Sequence, residues 1–387
     1  MDIAPSQYEV DADIDAAAGR MNAARRLLEQ AVTETPCRSE SWMKLAAMCG
    51  AGGDHRAALG AISQALALKP LDFSALLAKA RLLDRLGQSA AAGAAYGHAL
   101  AQRPSSGAVP PSLASAITSA EQRYASFQKC AVDRLRGAVP VGLAADPGEA
   151  ARIARFCSNI ARTTRPFPQE PSHFNFPGLP AVEFHDRSRF PWLALLEATS
   201  EVIKNELEPL LAAEATAMVP YIQYPAGVPL RQWQALNRSR DWTAMHLLQN
   251  GHRIDVNARH CPRTMELLAA IPQPDVRDRS PNAMFSLLAP RTRIPPHTGV
   301  ANTRLVCHLP LIVPEGCGFR VGAETRMWRE GEAFVFDDTI EHEAWNDSDE
   351  LRVVLIFDVW AWALSVAERN AVAAIMPISD LGKGDGL

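Results

Sequence analysis

An excess of charge of one sign is the first thing this sequence lacks. Its 39 Lys and Arg stand against 43 Asp and Glu, a formal net charge of −4 over 387 residues. Without a basic surplus there is no electrostatic reason to expect a nucleic-acid partner. Long apolar runs are missing too: no stretch approaches the roughly 20 uninterrupted apolar residues of a membrane-spanning helix, so no membrane span is expected. The opening residues MDIAPSQYEVDADID are acidic and carry no apolar core, which argues against a secretory signal. The seven cysteines contain no CxxC pair, and their odd number speaks against a disulfide framework. These absences lead to the expectation of a cytoplasmic protein of more than one domain. With 48% hydrophobic and 21% charged residues, the composition excludes disordered, collagen-like and coiled-coil chains.

What is present begins with a repeat. Pro36, Pro70 and Pro104 are 34 residues apart, the period of tetratricopeptide helix pairs. Ala31, Ala65 and Ala99 precede them in register, as do Ala24, Ala58 and Ala92, and the large residues Leu28, Ile62 and Tyr96. Small residues let paired helices approach, the large one fills the gap, and proline stops the second helix. Trp42 stands at the motif's tryptophan position in the middle unit, and Gly53 and Gly87 fall where turns are needed. The resemblance to tetratricopeptide repeats covers about residues 5–105. Such a solenoid offers a concave surface for a peptide or protein; packing or dimerisation is the alternative, and the oligomeric state is left open.

A loop is expected at 104–112, then helices over about 113–136 and 147–164. The segment PFPQEPSHFNFPGLP reads as ordered extended chain, and 192–212 as one amphipathic helix. The domains are therefore expected at 1–105 (helical repeats), 106–165 (a helical linker region) and 166–387 (a β domain). From Ser286 to Trp360 short alternating segments appear at 304–312, 318–321, 325–328, 333–336 and 352–359, separated by turn residues. That pattern predicts an antiparallel barrel or double-sheet jelly roll. Alternation puts Arg304, Val306 and His308 on one face of their strand, and Arg352, Val354, Ile356 and Asp358 on one face of another. A polar inward set is costly unless it holds a ligand.

His297 and His342 are candidate metal ligands. Non-haem iron oxygenases use two histidines and a carboxylate, and in the common arrangement the carboxylate lies two residues after the first histidine. Here that residue is Gly299. On spacing alone, two histidines in a β domain are as well read as packed core or surface residues.

The string HTGVANTRLVCHLPLIVPEGCGFRVGAETRMWREGEAFVFDDTIEHEAWN…RVVLIFDVW resembles the aspartyl/asparaginyl β-hydroxylase family of iron(II)- and 2-oxoglutarate-dependent dioxygenases, which also carries glycine in place of the third ligand. The resemblance is dense over 286–360 and thinner back to about Phe174, through FPGLP, Asp241–Trp242 and Gln249–Gly251. It implies a double-stranded β-helix (jelly-roll or cupin-like) domain after the α-helical repeats, using Fe(II), 2-oxoglutarate and O2 and releasing succinate and CO2. It implies His297 and His342 as iron ligands and Arg352 as partner of the distal carboxylate of 2-oxoglutarate. Ser286, His308, Val306 and Trp242 are implied as further cosubstrate contacts.

Val306 and Met284 stand where family members acting on epidermal-growth-factor-like domains carry basic residues. The leading expectation is hydroxylation of an aspartyl, asparaginyl or related side chain of a peptide or protein delivered by the repeats. Its rivals are hydroxylation of a small molecule or lipid acyl chain, a halogenase with halide beside Gly299, and an adaptor with a degenerate barrel. Asp337 and Asp338 read as groups orienting the turn before His342. His246, His252 and His260 read as loop or surface residues, and Arg291, Arg293, Arg320, Arg326 and Arg329 as a solvated face.

Overall fold

The computed structural model describes residues 4–104, 111–212 and 218–379. They fall into two compact units, Met1–Thr164 and Arg165–Leu387. The first is helical: α1 (Gln7–Ala17), α2 (Met21–Glu34), α3 (Ser39–Ala51), α4 (His55–Leu68), α5 (Phe73–Arg85), α6 (Ser89–Ala101), α7 (Pro111–Gly137) and α8 (Pro147–Ile160). The six alanines of the repeat are buried at 0–1% exposure, and Leu28, Ile62 and Tyr96 are buried beside them. The second helix of each pair stops two or three residues before its proline. Gly19, Gly53 and Gly87 close the first helices with φ of +76°, +80° and +71°, the left-handed conformation that glycine adopts without strain. Trp42 donates from Nε1 to the carbonyl of Pro36 at 2.8 Å, tying the middle pair to the stop of the first.

Glu9 of α1 is buried and accepts from Ser41 Oγ (2.7 Å) and Arg38 Nε (2.9 Å), with Lys44 Nζ at 3.0 Å. Burial pushes its carboxyl up, but the bonds from Ser41, Lys44 and Arg38 outweigh that and hold it below its ordinary value. Helix α7 packs Leu113, Ala116, Ile117, Ala120, Tyr124 and Phe127 onto α5 and α6. The helices expected as a linker region at 106–165 thus extend the repeat core. Residues 105–110 of the loop expected at 104–112 lie outside the described residues.

The second unit begins with extended chain, as PFPQEPSHFNFPGLP implies: Gln169, Phe174 and Phe184 form bridges with Ile340, Ala301 and Phe336. The single helix expected over 192–212 is two, α9 (Leu193–Ala198) and α10 (Ser200–Ala212). The break is Thr199, whose hydroxyl donates back to the carbonyls of Leu195 and Leu196 and competes with helix continuation.

Next come β1 (Val219–Pro220), β2 (Trp242–Gln249), β3 (His252–Arg253), α11 (Asp255–Ala258), α12 (Pro262–Ala270), β4 (Ala283–Leu288), β5 (Thr292–His297), β6 (Arg304–Ile312) and β7 (Cys317–Val321). The chain continues through β8 (Glu324–Met327), β9 (Phe334–Phe336), β10 (His342–Asn346), β11 (Arg352–Trp360) and α13 (Val366–Ile375). One sheet has the order β1-β2-β4-β11-β6-β9, with β3 on β2; the other runs β5-β10-β7-β8. Every pairing is antiparallel. From β4 onward the chain crosses between sheets at each connection except the β7–β8 hairpin, which is the double-stranded β-helix.

Strand alternation divides the large sheet. Its outer face (Met245, Phe285, Leu305, Cys307, Leu355, Phe357) packs against Leu193, Leu196, Ile203, Leu207 and Leu268 of the helices. Its inner face (Trp242, Ala244, Met284, Val306, Val354, Ile356) meets Ile294, Phe319, Phe336 and Ala344.

Because Ala58 has no exposed surface, Ala58→Leu is expected to overpack the helix pair and cost about 1–3 kcal/mol. The same change at exposed Ala67 should stay within about 0.5 kcal/mol. Urea unfolding reads both, and equal midpoints would show that the repeat alanines do not set helix approach.

Candidate functional site

Between the sheets lies a cavity of about 910 Å³ whose walls include Trp242, Ser286, His297, Val306, His308, His342 and Arg352. All seven residues singled out in the sequence are brought together there.

Histidines 297 and 342 stand opposite each other in the register of β5 and β10, their ring centroids 4.0 Å apart. The Pro295–Pro296 pair before His297 is tolerated because β5 is an edge strand. Each imidazole is oriented by the same device: Nδ1 lies 2.8 Å from the carbonyl of Pro295 in one and 3.0 Å from that of Ile340 in the other. A carbonyl only accepts, so Nδ1 carries the proton and Nε2 keeps its lone pair. Burial pushes His297 well below its ordinary value, with His342 adding to the effect, and pushes His342 down to about 4. Both rings are neutral at pH 7, the form that binds metal. Two convergent, oriented, neutral imidazoles suit a divalent transition metal. Among the described residues no group of three His, Cys, Asp or Glu is arranged to hold one.

Position 299 has a second consequence. A side chain there would collide with the carboxylate of Asp338. Asp338 is fully buried, pairs with Arg304 at 3.2 Å, and receives Gly299 N–H on its carbonyl at 2.7 Å. Burial pushes its carboxyl up, against the pull of Arg304. The space that a side chain at 299 would take is therefore filled by a paired carboxylate. Asp337 turns away, accepting from Thr339 N and Oγ1 and from Gln169.

At the other end Arg352 is 1% exposed. No carboxylate among the described residues lies within ion-pair distance of it. Its Nη1 is 3.4 Å from both the carbonyl and the hydroxyl of Ser286, its Nε is buried without a partner, and its guanidinium carbon lies 4.6 Å from the Trp328 ring centre. Burial pulls its pKa to about 10, so it remains a cation at pH 7. A buried cation without an anion is costly unless a ligand supplies one. Ser286 Oγ accepts from Trp242 Nε1 (3.1 Å) as well as from Arg352, which leaves its own hydrogen free for a ligand. The residues present thus fit a small carboxylate at one end of the cavity and a divalent metal at the other.

His308 lies between, its Nδ1 buried and unpartnered. Burial first, then Arg352 and His342, hold it well below its ordinary value. Val306 contributes only an apolar wall.

Several cavity residues escaped the sequence reading. Tyr221 stacks on Trp242 at 3.8 Å and 8°, Trp233 presents to His297 at 5.0 Å, and Trp328 backs Arg352. His246 is on β2 and lines the cavity, so the loop-or-surface reading of it is corrected; its inner face follows from alternation with Trp242. Exposed His252 pairs with Asp278, and His260 is exposed. The five arginines are each paired, with Asp349, Asp347, Glu341 and Glu343, Glu324, and Glu332 in turn.

Comparison with known proteins follows this geometry. The family described as Aspartyl/Asparaginyl beta-hydroxylase matches residues 197–361. The chain is 37% identical over 150 residues to human "Aspartyl/asparaginyl beta-hydroxylase", covering 38% of this chain and 20% of that protein. It is 32% identical over 213 residues to human "Aspartate beta-hydroxylase domain-containing protein 2", covering 54% and 55%. It is 34% identical over 177 residues to the "Ornithine lipid ester-linked acyl 2-hydroxylase" of Rhizobium tropici, covering 45% and 59%. The chain thus spans between a fifth and three fifths of these relatives' lengths. Among solved structures, the Yersinia enterocolitica type III secretion chaperone SycD is 16% identical, covering 32% of this chain and 92% of that one with a TM-score of 0.29. The repeat assignment rests on the helices themselves.

Gly299→Ala should push Asp338 from Arg304 and cost about 3 kcal/mol or more, as expected for breaking a buried pair. An unchanged urea midpoint would show that Asp338 does not depend on that glycine. A second expectation concerns pH. Asp358 is fully buried, and its carboxyl is pushed up to about 6 by burial, against Arg304 and the donations from Asn282. As pH falls from 6 the folded protein takes up this proton before the unfolded chain does, a gain in stability. His342 and His185, both pushed down to about 4 by burial, act in the opposite sense from 6.5 downward. Asp358→Asn removes the gain, so its stability should fall relative to the unmodified chain by up to about 1.4 kcal/mol per pH unit between pH 6 and 4. Parallel unfolding curves would refute the assignment.

Proposed function

We propose that the chain, whose residues 197–361 match the aspartyl/asparaginyl β-hydroxylase family, is an Fe(II)- and 2-oxoglutarate-dependent hydroxylase. Its proposed substrate is an aspartyl, asparaginyl or related side chain of a peptide or protein, with succinate and CO2 as co-products. The observation that carries this reading is the pairing, in one cavity, of two neutral imidazoles with a buried guanidinium that has no carboxylate of its own.

In this reading His297 and His342 hold the metal through Nε2, and the carbonyls of Pro295 and Ile340 fix their ring planes. Arg352 takes the distal carboxylate of 2-oxoglutarate, a charge-assisted contact that offsets the desolvation of the guanidinium. Ser286, oriented by Trp242, donates to the same group. His308 stays neutral and stands toward the metal-proximal end. Iron(II) with 2-oxoglutarate and oxygen supplies the oxidising power that inserts oxygen into a C–H bond. The protein positions the reacting carbon and keeps water out, with Tyr221, Trp233 and Trp242 forming an aromatic wall beside His297. The helical repeats are proposed to recruit the substrate.

A second reading has its own support. Val306 and Ile356 give the cavity an apolar stretch of wall, which suits a small molecule or a lipid acyl chain. The Rhizobium tropici relative is named for acting on an acyl group. An adaptor with a degenerate barrel is the reading from a different class.

Anaerobic addition of Fe(II) and 2-oxoglutarate should produce a weak visible charge-transfer band. His297→Ala should abolish it, and Arg352→Ala should raise the 2-oxoglutarate requirement about a hundredfold, the scale of losing one partner of a buried charge pair. No band from the unmodified chain would favour the adaptor reading and remove the enzymatic one.

A further inference from the structure

Trp328 directly follows β8 and was not singled out as a site residue, yet it lines the same cavity as Arg352 and Ser286 and is 6% exposed. Its ring face lies under the Arg352 guanidinium at 4.6 Å, and the ring also stacks on Phe319 at 5.5 Å and 16° and meets His308 at 6.1 Å. Tryptophan is the strongest aromatic partner for a guanidinium, and the contact strengthens when both groups are out of water. Packing explains the ring. It does not explain the indole nitrogen: Nε1 is buried and has no hydrogen-bond partner among the described residues, a condition it shares with Nε of the adjoining Arg352. A buried indole N–H ordinarily finds an acceptor. Here two neighbouring donors lack one, beside a serine whose hydrogen is uncommitted.

We propose that Trp328 belongs to the carboxylate cradle: its indole N–H donates to the ligand carboxylate that Arg352 binds, while its ring holds the guanidinium in place. The inference rests on the 2-oxoglutarate reading above and adds a donor to it. A carboxylate offers about four lone-pair sites, enough for guanidinium, serine hydroxyl and indole together. All three donors sit on rigid surroundings: Arg352 lies opposite Leu288 and Ser286 opposite Val354 on the paired strands β11 and β4, with Arg352 Nη1 3.4 Å from Ser286 Oγ, and Trp328 is stacked on Phe319. The cradle therefore selects a ligand by its second, distal carboxylate, and a keto acid ending in a methyl group gains nothing from it.

The test uses the full chain loaded with zinc(II), which is redox-inert and diamagnetic, and two probes of equal carbon count: 2-oxoglutarate and 2-oxovalerate, which lacks the distal carboxylate. By calorimetry, Trp328→Phe, which keeps a ring under Arg352 but removes the N–H, should weaken 2-oxoglutarate about tenfold. It should leave 2-oxovalerate within about twofold, as expected where no donor is lost. In the unmodified protein the indole N–H resonance of Trp328 should move downfield with 2-oxoglutarate and stay put with 2-oxovalerate, a readout that does not depend on a variant folding. Unchanged 2-oxoglutarate affinity, equal losses for both probes, or a resonance unmoved by 2-oxoglutarate overturns the role of Trp328. If the unmodified, metal-loaded protein binds neither probe, the cosubstrate reading itself falls, and the inference with it.

Discussion

A guanidinium sealed between two β-sheets, with no carboxylate of its own among the described residues, is the constraint around which the second unit is organised. Arg352 opens β11, which is flanked on both sides by β4 and β6 and so sits deep within the large sheet. A charge at such a place is tolerated only if the strand is anchored by other means. Alternation provides the anchor: Val353, Leu355, Phe357 and Val359 project to the opposite face and bury almost completely in the apolar layer that covers the sheet. One face of the strand stabilises the fold while the other keeps a cation unsatisfied. The hydroxyl of Ser286 and the ring of Trp328 limit how far the guanidinium can move without neutralising it.

The histidine pair solves the converse problem. A metal ligand must be neutral, and its ring plane must be fixed before the ion arrives. Burial supplies neutrality. The backbone supplies orientation through the carbonyl two residues earlier in the chain, so that no side chain is spent on it. The carboxylate nearest to the position the third ligand would take is Asp338, and Arg304 already holds it. Arg304 shares a strand face with Val306 and His308, so one strand carries the counter-charge of Asp338, an apolar wall and a neutral imidazole in alternate positions. Buried carboxylates whose pKa is raised and buried histidines whose pKa is lowered make opposite contributions to stability in the same acid range. The unit consequently carries polar groups inside without a single large pH liability from either kind.

Much of this was legible in the sequence wherever a period exists. The 34-residue spacing of Pro36, Pro70 and Pro104 located the helix pairs because close approach and helix termination recur once per pair, and the same spacing extends to Gly19, which was not singled out. The two-residue period placed Arg304, Val306 and His308 together, and the strands at 304–312 and 352–360 differ from the expected limits by at most one residue. What escaped has no period. Trp328, Tyr221 and Trp233 reach the cavity from turns and short connections, where no pattern tells an inward from an outward aromatic. The break at Thr199 depends on one hydroxyl competing with the helix. The clash between a side chain at 299 and Asp338 joins residues on different sheets' connections and exists only in three dimensions.

The surface arginines decide where recognition is done. Arg291, Arg293, Arg320, Arg326 and Arg329 look in sequence like a basic track, but each is committed to an acidic neighbour, Arg320 in a half-buried pair and the others nearer the surface. Exposed pairs of this kind contribute little to stability and leave little net field to steer an acidic substrate. Discrimination then falls on the cavity wall, whose neutral side chains include Val306, Ile356, His246 and the aromatic group around Trp242. A substrate carboxylate reaching that wall would have to be desolvated, and the cations at hand are Arg231, which also lines the cavity, and Arg304, which already pairs with Asp338. A neutral side chain or an aliphatic chain would bear no such cost. The Arg352 end of the cavity thus favours a carboxylate, while the stretch of wall formed by Val306 and Ile356 favours apolar groups.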